Sequence, residues 1–495
     1  MGKRYYGLDI AKGVSILGMI LSHSFMETAA HWNSSILFHF VSKVPVVLLV
    51  LLMVPIVLFS QMGSMFSLIS AICVTISFLD IIKKGFGVVW RYIFMKMVFA
   101  LLLRGIEVFW NQWTVDWDFF EKGKMQWPIV DLPTISHTLD CIGFIGWFIP
   151  LILYGIRLIP QLSDYRIQVA ILYFLSLIIT FFSRDIAAWG AEVESYCQTN
   201  KLFFLSYLFN KLGNGPFQIP QILPFGLMGA AIGIIFHTAT SMKPHWIFLL
   251  ISFVINTVFG IFELLKVDDF LAELFANFKP EGFMLIIMIV EYLFILICCH
   301  FLDNLKRSPT KRYTAMKHTT FLRRMNSLSL SAFVFSSVMN KKIFTIFQLP
   351  FLFGPAIDRE QEQCIWDWPV VALYCFTAMF VGIGIARLWE YMDFRFSIEQ
   401  QLAFIMQWLF QRPYNKVDYK KNIYGPLQEL QDEIAETMRG VVVEVTESES
   451  GMGMGMDMDM DMDMRMGRND IDHGREHELD ENFSPMMKES PTGPF

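Results

Sequence analysis

Apolar runs long enough to cross a bilayer alternate with short polar connections along most of the chain. They fall at about 7 to 27, 44 to 80, 90 to 110, 137 to 159, 167 to 183, 219 to 238, 245 to 265, 283 to 302, 325 to 353 and 369 to 390, against the roughly 20 residues a spanning helix needs. The pattern predicts an all-α fold, a polytopic transmembrane helical bundle of ten spans, or eleven if 44 to 80 holds two helices. Pro45 and Pro55 interrupt that segment, so it also fits one span preceded by an interfacial or re-entrant piece. An amphipathic stretch carries the chain to about residue 411, beyond which it turns polar. The reading is a membrane domain over 1–411 and a cytoplasmic tail over 412–495, with a short helix predicted from Pro426 to Arg439. Residues 451–467, chiefly Met, Asp and Gly, have neither helical period nor β-branched residues, and predict disorder.

Composition agrees: the chain is 54% hydrophobic and only 17% charged, as a membrane protein is. The net charge of -6 matters less than its distribution. Lys83, Lys84 and Arg91 mark one loop as cytoplasmic, as do Arg157 and Arg166, then Lys243, then Lys306 through Arg324. Asp116 to Asp131, Asp268 to Glu281 and Asp358 to Asp367 make the alternate loops acidic and external. Lys3, Arg4 and Lys12 favour an inside N-terminus. Only a single crossing within 44 to 80 reconciles that with an inside Lys83 and Lys84, which gives ten spans with both ends cytoplasmic. The first apolar segment lacks a signal-peptide cleavage pattern and reads as a retained span. The lipid bilayer and small molecules are the expected partners, with no nucleic acid; a homodimer is left open.

The seven cysteines form no CxxC pair and lie mostly in apolar runs, as small buried hydrophobes do. Cys197 and Cys364 fall in loops, the one pair an oxidising compartment would allow to bond. No metal site is expected. The Met-rich tract, with His473 and His477 near it, has the ligand type Cu(I) prefers, but disorder explains its composition as well.

Candidate chemistry begins at the first span, which keeps Asp9 and Lys12 at one end and His23 near the other, where polar groups are costly. His23 reads either as a structural donor to a neighbouring helix or as a general base. His31 follows in a short polar connection, where simple solvation is the plain alternative; Asn33 can orient a ring or donate to a developing oxyanion. His137 and Asp140, and Arg104 and Glu107, share the i,i+3 spacing of helix neighbours, and an ion pair explains the latter. Glu291 and His300 lie in one apolar run without an assigned role. Gly226, Gly229 and Gly233 put small residues on one face, which suits close helix packing. The cations Lys83, Lys84, Arg91, Arg323 and Arg324 suit a phosphorylated ligand, but loop orientation alone accounts for them. No GxSxG, Walker, HExxH or Rossmann pattern occurs, which leaves hydrolase, ATPase, zinc-protease and nucleotide-redox chemistry unsupported.

The opening Leu8-Asp9-Ile10-Ala11-Lys12-Gly13, followed by Met19 to His23, resembles the start of integral-membrane acyltransferases of the heparan-alpha-glucosaminide N-acetyltransferase-like group. Further resemblances follow in that family's order: Gln61 to Ser64, Trp90-Arg91 through Arg104-Gly105, Thr138 to Gly143, Leu223-Pro224 to Gly233, Ser327 to Leu330, and Phe394 to Glu399. Lys12 stands where the family usually has Arg, and Asp140 where Gln is common. The resemblance, over about residues 4 to 411, implies transfer of an acetyl group from acetyl-CoA to a sugar or glycan amine or hydroxyl, often across the membrane. It implies His23 or His31 as the active histidine with Asn33 assisting, and Asp9, Lys12, Arg91 and Arg104 as donor-binding residues. The competing expectation is a transporter, which embedded Glu291, Asp140 and Arg104 suit, although no internal repeat is evident.

Overall fold

The computed structural model describes residues 5–30, 34–45, 47, 63–108, 138–213, 218–239, 241–268, 280–304, 308–358, 363–410 and 418–450. In chain order the helices are α1 (Tyr6–Phe25), with a π turn at Met26–Ala30, α2 (Ser34–Lys43), α3 (Gly63–Ile81), α4 (Phe86–Val108), α5 (Thr138–Arg157), α6 (Tyr165–Phe181), α7 (Ser183–Thr199), α8 (Phe203–Gly213) and α9 (Ile219–Thr238). They continue as α10 (Lys243–Leu264), α11 (Glu281–Leu302), α12 (Pro309–His318), α13 (Thr320–Ser327), α14 (Ser329–Phe347), α15 (Trp368–Tyr391), α16 (Ile398–Leu409) and α17 (Tyr419–Ser450). The two-residue strands Ile357–Asp358 and Gln363–Cys364 pair antiparallel.

Among the described residues eight helices are long and apolar enough to cross a membrane, or ten if each of two bent pairs is one span. The pairs are α6 with α7, bent by 62°, and the halves of α14, bent by 40°. This is the helical architecture of a multi-pass membrane protein. Whether 44 to 80 crosses once or twice turns on residues 48–62, outside the described residues. Contacts divide the chain at Met1–Thr437 and Met438–Phe495. The first unit therefore reaches beyond residue 411 and takes in the start of α17, a longer helix than Pro426 to Arg439. Of the second unit only 438–450 is described; the Met and Asp tract and His473 and His477 lie outside the described residues.

The most enclosed span is α9, which is apolar on all sides and packs on α3 and α6. Its glycines permit this: a Cβ at Gly229 would strike the Leu68 carbonyl, and one at Gly233 would crowd Thr75 and Ile72. The outer face of α10, by contrast, exposes Ile247, Leu250, Val254 and Val258, as a lipid-facing helix does.

The first helix is the seam of the molecule. Leu8 and Ala11 belong to the core formed with α3, α5, α6, α9 and α11, whereas Ile16, Met19 and Ile20 belong to a second core with α14 and α15. Gly7 lies against Cys299 and Gly13 against the Leu322 backbone, so α1 approaches α11 and α13 at backbone distance.

Three helix starts are capped by carboxyls from elsewhere in the chain. Tyr6 N and Gly7 N donate to the two oxygens of Asp303 at 2.9 and 2.8 Å. Ser64, at the start of α3, donates to Glu291 at 2.5 Å, and the Met65 N–H adds to it. Leu330 N and Ser331 N donate to Glu399 Oε1 at 2.6 and 3.0 Å, and Ser331 Oγ to its Oε2 at 2.6 Å. Ile398 N in return donates to Ser331 Oγ at 2.8 Å, so α14 and α16 cap each other. Unpaired first-turn N–H groups are especially costly away from water, which explains acids at these positions.

Candidate functional site

At its first end α1 holds Asp9, which accepts a hydrogen bond from Asn326 Nδ2 at 2.8 Å, and half-buried Lys12. Asp303 sits at the same end, half-buried, with Asp9 close enough to repel it. Burial, opposed by the Gly7 and Tyr6 N–H groups, raises the Asp303 carboxyl to about 6. Eleven residues separate Lys12 from His23, about 16 Å at helical rise. One helix thus connects a charged end to a histidine without bringing the two together.

His23 lies in the last turn of α1, with Ser24 beside it and Glu27 one turn on, the spacing that puts Glu27 on the same face. Ser24, whose hydroxyl donates to the Ile20 carbonyl at 2.8 Å, lies beside Tyr374 of α15, whose hydroxyl donates to the Asn340 carbonyl of α14 at 3.1 Å. Glu27 is within electrostatic reach of both Tyr374 and Lys341. The Asn340 side chain is 1% exposed and neither of its amide atoms has a hydrogen-bond partner. A carboxyl, a phenol and a cation thus lie around the turn that follows His23. Of this group only His23 was expected. The available signals were Glu27 at i+4 from His23 and Asn340-Lys341-Lys342 interrupting an apolar run. His31 and Asn33 lie outside the described residues.

An apolar crevice begins one turn from His23. It is lined by Ile20 of α1, Ser336 and Met339 of α14, Gly382 and Trp389 of α15, and Met325 of α13. Its lining runs from Met325 of α13 to Met339 of α14, across the break at Leu328. Its volume is about 40 Å³, room for a water or a methyl group. The crevice is therefore narrow, with Met325 at one part of its lining and Ile20, one turn before His23, at another.

The remaining cations disperse. Arg91, exposed, donates to the Phe410 carbonyl at 3.3 Å, at the end of α16. Arg104 lies thirteen residues further along α4, about 20 Å away, and pairs with Asp140 at 2.8 Å, an oxygen it shares with Lys211 Nζ at 2.7 Å. The expected partner, Glu107, has its side chain outside the described residues, as does His137. Arg91 and Arg104 thus cannot hold one small head group together. Arg323, 1% exposed, donates to the Ile423 carbonyl at 2.5 Å and the Met316 carbonyl at 2.9 Å; Arg324 donates to Glu390 at 2.7 Å. Both lie on the short helix α13 in the connection between α11 and α14, with their side chains turned inward. Glu291 and Ser64 meet inside the membrane domain, and Glu291 Oε2 has no partner. His300 makes ring contacts with Trp246 and Phe301.

Cys197 and Cys364 do not lie in loops as expected: Cys197 is in the last turn of α7 and Cys364 in the second short strand, and both are buried free thiols with no disulfide between them. Cys364 is directed at the Thr28 carbonyl, and burial pushes its thiol up to about 11, against the Trp366 backbone and Lys43. A thiol so shifted is a poor nucleophile. No group of three or more His, Cys, Asp and Glu side chains suited to a metal occurs among the described residues. Comparison with family models, curated proteins and solved structures finds no match to this chain.

Proposed function

We propose that the protein is an integral-membrane acyltransferase that moves an acetyl group from acetyl-CoA to an amine or hydroxyl of a sugar or glycan. What supports this reading is the order of features along α1: a small apolar crevice is lined by Ile20, one turn before His23, and Glu27 and Tyr374 lie within electrostatic reach of each other one turn beyond it. The resemblance of the opening motif supplies the donor and acceptor classes. The acceptor's nitrogen or oxygen attacks the thioester carbonyl, the carbon–sulfur bond breaks, and His23 takes the acceptor's proton and returns it to the departing thiolate. In the two-step variant the imidazole forms the acyl bond first and the acceptor then displaces it. Ten spans with both termini cytoplasmic place Asp9 and Lys12 on the donor side and His23 toward the acceptor. The crevice must widen to admit the donor.

A permease is the second reading, favoured by Glu291, whose carboxyl sits midway along α11 with one oxygen lacking a partner. Purified protein in nanodiscs, given acetyl-labelled acetyl-CoA and a panel of amino sugars and neutral glycans, separates the two. Acetylated sugar and free CoA thiol in equal amounts are expected. Sugar flux into proteoliposomes without covalent change would establish the permease instead.

A further inference from the structure

The start of α17 is docked, not trailing. Tyr419 and Ile423 join the core of α1, α14 and α15, Leu430 packs with Ile10 and Leu322, and Gln431 Nε2 donates to Tyr313 at 3.0 Å. The contact centres on the Tyr424 hydroxyl. It donates to Glu390 and accepts from Arg324 Nη2 at 3.1 Å and Arg387 Nη1 at 3.0 Å. Both arginines also reach Glu390, so two guanidiniums share one carboxylate and one neutral phenol. Arg324 is the chain neighbour of Met325, and Arg387 and Glu390 bracket Trp389, residues that line the crevice at this end.

We propose that Arg324 and Arg387 form a binding site for the phosphate of an anionic ligand that uses the crevice, and that Tyr424 keeps this site covered by docking α17 across it. Guanidinium forks suit phosphate oxygens. Glu390 neutralises one of the two cations, which leaves a surplus positive charge that a phenol satisfies only as a neutral acceptor. A phosphate supplies charge where tyrosine does not, and displaces it. The narrow crevice is the state expected with the cover in place. Naming the ligand as acetyl-CoA rests on the function proposed above; the arginine site and its cover do not. Phosphate of a lipid head group has the same chemistry.

The test uses full-length protein and the Tyr424→Phe variant, which keeps the ring and removes the hydroxyl, in phosphatidylcholine nanodiscs. CoA and inorganic pyrophosphate are titrated, and amide exchange is followed over residues 419–436. Because linkage is reciprocal, loosening the cover is expected to raise affinity for both probes about tenfold, within the usual range of coupling. CoA is expected to speed exchange over 419–436 in the unmodified protein, and Arg387→Gln to weaken both probes. A gain for pyrophosphate without any for CoA supports the site and removes the acetyl-CoA reading. Faster exchange only when phosphatidic acid is added supports the site with lipid as its source. Equal affinities in the two proteins with unchanged exchange overturn the cover, and no binding of any anion to either overturns the site.

Discussion

Asp303, Glu291 and Glu399 are scattered in sequence but perform one task, accepting hydrogen bonds from the first turn of a helix to which they do not belong. Asp303 carries a testable pH signature. Its folded carboxyl titrates at about 6 against an ordinary 3.8, so folding takes up a proton between those values. The contribution of this group to stability is therefore full below the ordinary value and is lost as pH rises through about 6. At roughly 1.4 kcal/mol per unit, the change is on the order of 3 kcal/mol. In thermal denaturation, the stability of the detergent-solubilised protein relative to Asp303→Asn should fall as pH rises from 4 through 6 and stay flat above 7; a pH-independent difference would remove the assignment. Glu291 makes a different prediction, because an amide oxygen can still accept from Ser64 and Met65. Glu291→Gln should be tolerated, whereas Glu291→Leu should cost about 1–3 kcal/mol for the donors left bare. Equal losses in denaturation would mean that charge, not capping, holds α3.

The elements meet through such joints, and α14 and α16 show how. Glu399 caps α14, Ser331 caps α16, and between α15 and α16 the chain turns through Asp393, Phe394 and Phe396, all with positive φ, at 55°, 56° and 64°. Non-glycine residues hold that conformation only when neighbours enforce it; here Phe394 is fully buried and Trp389 Nε1 donates to the Arg395 carbonyl at 2.8 Å. Glu399→Ala should release the start of α14, at about 2 kcal/mol by the upper range of cap losses, and speed exchange of its first-turn amides. Unchanged exchange there would show that packing alone fixes the joint. On α9 the critical dimension is backbone approach. Gly229→Leu would drive a side chain into the Leu68 carbonyl and should abolish the folded protein in size-exclusion chromatography, while Gly155→Ala, at a position open to space, should not.

At the scale of the whole molecule, hydrophobic periodicity made the helices and most of their limits legible, because a span is set by local length and composition. Gly229 and Gly233 were legible for the same reason: small residues at helical spacing admit a neighbour. The partners of Arg323 and Arg324 were not legible, because charge alone does not say whether a cation faces water or a carbonyl. Their partners, Ile423 and Glu390, are sixty or more residues away. The surroundings of His23 were half legible: Glu27 shares its helix face, whereas Asn340, Lys341 and Tyr374 arrive by tertiary packing. What unites these levels is α1, which joins a charged end and a crevice to a histidine. The most direct test of that role is acetyl transfer from labelled acetyl-CoA by purified His23→Ala and His31→Ala proteins, each shown by thermal denaturation to be folded. Loss of transfer by at least a hundredfold in His23→Ala, within the usual range for general acid–base groups, is the predicted result. Full activity in both variants would contradict it.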